Sequence, residues 1–231
     1  MRRPLAALLL LTTLGGCKAD SPSRHPDGGV DSGGLDGAAD DVIQVSLCRL
    51  TDLRGFCTAW DGTELALRLG GGSPTTVAGD FSVPRPAGSE VVLLTLDDPA
   101  GGYFAGAVRL DAVVPSPLSM RLILNADLDD VLSASGAILP PGSGVTVLHF
   151  LDPGGAPAPG ITLATASDGA EPWYASDMPG VFVPDGATDE SGVAAYFDLA
   201  DGDFSAAIVA TDTTVNAYAV ADALVNMIVE L

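Results

Sequence analysis

The sequence predicts an all-β fold, with two tandem β-sandwich modules joined by a short helix-containing connector after a signal peptide and a disordered linker. Three observations carry this. Apolar residues fall in short runs, many alternating with polar ones at the period of a half-buried strand. Glycine and proline are abundant, at 28 and 17 residues, and they punctuate those runs as turns. After the leader no apolar stretch approaches the roughly 20 residues that span a bilayer, and the length that remains suits one or two domains with cores of their own.

Residues 1–16 read as an export signal. Arg2 and Arg3 form a basic start, Leu5 to Leu14 an apolar run too short to cross a membrane, and Gly15-Gly16 a small pair before Cys17. Leu14-Gly15-Gly16-Cys17 resembles the lipobox of bacterial lipoproteins. The resemblance implies that Cys17 is acylated, becomes the new N-terminus and makes the membrane a partner through its lipid. More than one acyl chain, at about 0.8 kcal/mol per buried CH₂, holds permanently where a single chain does not. Lys18 after the cysteine points to the outer membrane, so the expected location is the bacterial cell envelope. An ordinary signal peptide cut near Gly16 would instead leave Cys17 unmodified.

Residues 17–41 form an acidic Gly/Asp-rich segment with almost no large apolar side chains, which predicts a flexible tether. Its aspartates, Asp27, Asp31, Asp36 and Asp40, lack the spacing of an EF-hand loop and read as solvated charge.

The first module spans residues 42–125. Val42 to Leu50 and Glu64 to Leu69 alternate, Val91 to Leu96 is a continuous apolar run, and Tyr103 to Val114 gives a further strand before Pro115. Cys48 and Cys57 are close in sequence, are not spaced as CxxC, and belong to an oxidising compartment. They read as a disulfide, with two buried free thiols as the alternative. In the connector, 126–142, Asp127 to Ser135 reads as a short helix capped by Asn125 or Asp127 and stopped by Gly136. The second module, 143–231, predicts strands at Val145 to Leu151, Ile161 to Ala166, Val181 to Val183, Val193 to Leu199, Phe204 to Thr211 and Tyr218 to Leu231. The halves share a pattern: Thr75 and Thr188 each precede a glycine by four residues, and each glycine leads into a strand, a turn glycine (Gly88, Gly202) and another strand.

In the second module a first strand leads to Gly155-Ala156-Pro157-Ala158-Pro159-Gly160, then to Thr188-Asp189-Glu190-Ser191-Gly192, then to Gly202-Asp203-Phe204. This order of a G-x-P-x-x-G turn, a T-D-x-x-G turn and a G-x-[FY] strand resembles the carboxypeptidase regulatory-like (transthyretin-like) module of bacterial envelope proteins. An invasin-like bacterial Ig module shares the T-D-x-x-G-x-A turn, and both are β-sandwiches. Residues 43–113 resemble the module more loosely, without the G-x-P-x-x-G turn and with Cys48 and Cys57 instead. In the second module Ser167 to Ala187, holding Trp173-Tyr174, reads as an insertion. Either family implies a scaffold or accessory element with no catalytic residues to carry over.

Charge narrows the function classes. Removing residues 1–16 takes away two arginines and no acid, moving the formal charge from −20 to −22, so nucleic acid is not an expected partner. No G-x-S-x-G, H-E-x-x-H, Walker A or dinucleotide fingerprint occurs, so no catalytic residue, metal site or cofactor is assigned and no enzyme is expected. His149, between Leu148 and Phe150, reads as a strand histidine. Asp198, Asp201 and Asp203 read as a solvated acidic turn, with weak Ca²⁺ binding as the sharper alternative. The expectation is a non-enzymatic, lipid-anchored structural or interaction module. The alternative is a carbohydrate- or protein-binding module in which exposed Trp173 and Tyr174, or Trp60, stack on a sugar or anchor a partner.

Overall fold

The computed structural model describes residues 41–209 and 211–231, so the leader, Cys17 and the tether up to Asp40 lie outside the described residues. Those residues build fifteen strands and one helix. The chain opens with β1 (Val42–Leu50), β2 (Cys57–Ala59), β3 (Leu65–Leu69), β4 (Thr75–Val77), β5 (Phe81–Pro84), β6 (Val92–Asp97), β7 (Ala105–Leu110) and β8 (Leu118–Ile123). Helix α1 (Asn125–Ser135) follows. After it come β9 (Gly144–Leu151), β10 (Trp173–Ala175), β11 (Phe182–Val183), β12 (Val193–Leu199), β13 (Gly202–Ala207), β14 (Thr214–Ala219) and β15 (Ala223–Glu230).

Three sheets result, and none closes into a barrel. The largest has nine strands in the order β11-β10-β12-β9-β15-β7-β6-β3-β4. Its join is the last strand: β15 runs parallel to β9 through Leu224↔Val145 to Glu230↔Leu151, and parallel to β7 through Ala223↔Ala105 to Val225↔Ala107. One sheet therefore passes through both halves, and the modules meet edge to edge instead of hanging from the connector. A four-stranded sheet centres on β1, with β8 parallel along one edge and β2 and β5 antiparallel along the other. The third sheet is the β13-β14 hairpin.

The period of two decides which side chains meet. One face of the nine-stranded sheet presents Leu65, Leu67, Leu94, Leu96 and Leu110 to Ile43, Val45, Leu47, Met120 and Leu122 of the four-stranded sheet. Farther along the same face, Val145, Val147, Val193, Ala195 and Leu224 pack under Leu50, Leu53 and α1. The opposite face of the second half carries Leu148, Phe150, Ala194 and Tyr196 against Phe204, Ala206, Val215 and Ala217 of the hairpin. The helix contributes Leu128 and Val131 to the core and ends at Gly136, whose left-handed φ of 73° turns its N–H back to Leu132 O. Its expected cap differs. Leu124 holds the cap position without a side-chain bond, while Asn125 lies in the first turn and donates its amide to Gly101 O at 2.9 Å.

Several strands also depart from the sequence reading. The expected strand Tyr218 to Leu231 is two strands, broken where Asp222 takes φ 53° and its carboxylate accepts the Gly142 N–H at 2.7 Å. Gly144 lies under that corner, and a Cβ there would sit 2.3 Å from Val220 O. Ile161 to Ala166 forms no regular strand. It pairs irregularly with β13, through Ala164 N to Ala207 O at 2.9 Å and a single bridge from Leu163 to Ile208. The segment 167–187 is no detached insertion, because it supplies β10 and β11, which extend the large sheet from β12. In both halves the chain changes sheet at the second glycine of the shared pattern, from β5 to β6 past Gly88 and from β12 to β13 at Gly202.

The two turn motifs of the second half fasten to each other. Thr188 is buried; its hydroxyl donates to Ala158 O at 2.8 Å and accepts from Ile161 N at 2.9 Å. Backbone bonds Gly160 N to Thr188 O and Thr188 N to Ile161 O complete the staple. Gly192, at φ +67°, passes so close to β9 that a Cβ would stand 2.6 Å from Phe150 O. The threonine and the glycine of T-D-x-x-G are thus there for packing.

Candidate functional site

The most elaborated local structure is the loop between β1 and β2. The disulfide Cys48–Cys57 closes it. Inside, Arg54 folds back on Asp52, its N–H and its Nε and Nη2 donating to the carboxylate at 2.9 and 3.1 Å. Leu53 is driven fully into the core beside α1, and Arg54 Nη1 reaches Ser176 O at 3.3 Å. The tip then stands on its neighbours. Gly55 has φ +96°, and a Cβ there would lie 3.0 Å from both Arg121 Nη1 and His149 Cε1, so glycine meets both a backbone and a space requirement. Phe56 follows, 64% exposed, with the Arg54 guanidinium 5.8 Å from its ring centre. It stands on the rim of a groove of about 530 Å³ shared with Pro159, Asp177, Asp189 and Glu190.

Beneath Gly55 is a polar cluster drawn from three strands. Arg121 of β8 places Nη1 3.2 Å from His149 Nε2 of β9, and Asn226 Oδ1 of β15 lies 3.3 Å from the same nitrogen. His149 is 8% exposed. Arginine can only donate, so Nε2 accepts, and the proton of the neutral ring belongs on Nδ1. Burial, and then the Arg121 charge, push the imidazole down from 6.5 to about 4, while Asn226 opposes them by bonding the protonated form. Burial also lowers Arg121. The histidine therefore works here as a neutral acceptor at pH 7, and among the described residues its side-chain partners are Arg121 and Asn226.

The residues singled out from sequence fall in separate places. Cys17 is outside the described residues. Cys48 and Cys57 are bonded, as expected. Tyr174 is a correction to the exposed-aromatic reading: it is 2% exposed, lies in β10 opposite Ala194, and its hydroxyl accepts from Leu163 N at 2.8 Å and donates to Leu163 O at 3.2 Å. The strand alternation that turns Tyr174 inward turns Trp173 to the other face, where it is half-buried edge-on to Phe197 at 5.9 Å. The two rings form no common platform. Trp60 lies against Tyr103 at 4.8 Å and donates Nε1–H to Thr63 O, filling the first core. Asp198 accepts from Ser143, Asp201 from Ala221 N, and Asp203 pairs with Arg109, so each carboxylate has its own partner. Arg121 and Asn226 were missed. The alternation Leu118, Met120, Leu122 against Ser119, Arg121 was a legible signal for β8, whereas no sequence feature links position 226 to 149.

No protein-family profile matches the chain, and no characterised protein matches it in sequence. Among solved structures it is similar to the Bacillus anthracis TIE protein, at 13% identity over 82% of this chain and 33% of that one, with a TM-score of 0.25. The chain thus spans about a third of that protein's length. A streptococcal ancillary pilin aligns at 11% identity over 82% of this chain and 68% of that one, TM-score 0.28. GBS52, the minor pilin of Streptococcus agalactiae, aligns at 10% identity over 82% and 94%, TM-score 0.28.

Proposed function

We propose that this chain is a non-enzymatic structural or interaction module of the bacterial cell envelope, held to a membrane, the outer one by the Lys18 criterion, through lipid on Cys17. The observation that carries the reading is the nine-stranded sheet running through both halves, with packed cores on its two faces and its last strand inserted at the join. Such a body resists relative motion of its halves, which suits presenting a surface and suits poorly a site that must open and close. The presented surface is the loop closed by Cys48–Cys57, where Phe56 stands exposed beside the acidic groove. An exposed aromatic on an anchored loop is the kind of residue that dominates contacts with a protein partner.

The test has two measurements on producing cells. Mass spectrometry of the mature N-terminus should show an acylated Cys17, and globomycin should block its maturation; an unacylated Cys17 overturns the anchor. Photocrosslinking from a benzoylphenylalanine at position 56 in intact envelopes should give a discrete adduct absent when the same group replaces exposed Val113. The same labelling from both positions overturns the interaction surface.

A further inference from the structure

Arg121 stands apart from the other arginines. Among the described residues, Arg49, Arg54, Arg68 and Arg109 each pair with an aspartate, and Arg85 donates to the carbonyls of Ala112 and Val114. Among the described residues Arg121 meets only the imidazole of His149, although the chain carries 30 acidic residues against 10 basic ones. It is partly desolvated, and among the described residues no carboxylate offsets the cost. With Ser119 and Asn226 it lines a cavity of about 30 Å³ whose other walls include Val108, Leu118 and Leu224. Among the described residues β8 has a ladder with β1 alone, and beyond the bond from Phe104 N to Ile123 O at its end its other edge pairs with no strand.

We infer that Arg121, with His149 and Asn226 behind it, is a binding site for a single carboxylate group. The guanidinium fork matches a carboxylate with two parallel N–H donors, and apolar walls strengthen the pairing by excluding water. The cavity is small and holds one full positive charge. A phosphate dianion would need more donors and would meet stronger repulsion from a chain of net charge −20. His149 adds a second contribution. Burial, and then the Arg121 charge, keep the ring neutral; a carboxylate paired with Arg121 offsets that charge and favours the protonated ring, which donates to Asn226. Carboxylate binding and protonation of His149 therefore promote each other. The group has two sources, a small free acid or an acidic side chain on an extended segment lying along the open edge of β8.

The chain has two histidines, His25 and His149, so the imidazole protons give a simple NMR readout. The purified protein is titrated at constant ionic strength with acetate, with perchlorate as control, and in parallel with the peptide acetyl-Gly-Asp-Gly-amide. Acetate should shift the His149 Cε1–H signal saturably and raise its midpoint pH, while perchlorate should leave it unmoved. Arg121→Gln should weaken acetate binding at least tenfold, Arg121→Lys less, and Arg68→Gln not at all. A peptide that saturates at lower concentration than acetate assigns the site to a chain segment; equal or weaker binding assigns it to a small acid. Acetate without a saturable shift, or the same shift in folded Arg121→Gln and Arg121→Lys chains, overturns the site.

Discussion

Acid should destabilise this fold through His149 as the pH falls below 7. The ring is held near neutrality by burial and by Arg121, at about 4 against an ordinary 6.5. Between those values the unfolded chain binds a proton that the folded chain refuses, so stability rises with pH across the window and is complete above about 7. Each pKa unit is worth about 1.4 kcal/mol, which puts the full loss at about 3 kcal/mol by pH 4, and about 2 kcal/mol of it falls between pH 7 and 5. The assay is urea unfolding at a series of pH values in a buffer free of carboxylates, comparing the native chain with His149→Gln. The glutamine oxygen can still accept from Arg121 but cannot protonate, and carboxylate contributions cancel in the comparison. The variant should lose the slope between pH 7 and 5 whatever its stability at pH 7. Equal slopes in the two chains would refute the argument.

Three further outcomes follow from the packing. Reducing Cys48–Cys57, or replacing both cysteines by serine, should cost about 2–3 kcal/mol in urea unfolding, from the entropy of the short loop it closes. Thr188→Val keeps the shape but strands Ala158 O and Ile161 N, and should lower stability by about 1–3 kcal/mol; a neutral result would show that water replaces the hydroxyl. Val225→Asp puts an unpaired charge at a fully buried position of β15 and should cost about 3–5 kcal/mol or prevent folding, whereas Ile228→Asp, on the same strand but 62% exposed, should stay within about 0.5 kcal/mol by thermal unfolding.

What the sequence made legible was local. Alternation placed β1 at Val42–Leu50 and β12 at Val193–Leu199, and Gly136 marked the end of α1. Two kinds of error arose where local signals mislead. Asn125 is a good capping residue type, but a bond to Gly101 from another loop used its amide instead. Trp173-Tyr174 lay in a stretch rich in Gly, Pro and Asp, so the pair read as a decorated loop; edge pairing with β12 made it a strand and turned Tyr174 inward. The disulfide was legible from compartment and spacing. That the loop it closes would rest on Arg121 and His149 was not, because this contact depends on Gly55 packing against strands distant in sequence.

The illegible part of the site and the illegible part of the fold have one cause. Parallel neighbours require long crossover connections, so nothing local announces that β8 will lie beside β1 or β15 beside both β7 and β9. Those pairings assemble the polar cluster: Arg121 comes from the first half, His149 and Asn226 from the second, and the last strand brings them within hydrogen-bonding distance. A module read by itself shows one arginine or one histidine, each with a bland explanation. Joined, they make a desolvated cation facing a neutral imidazole in a strongly acidic protein. The first half by itself would retain the Arg121 charge but lose its acceptor, and the second would lose the charge that helps burial hold His149 neutral. The acid sensitivity developed above is therefore in part a property of the joined sheet.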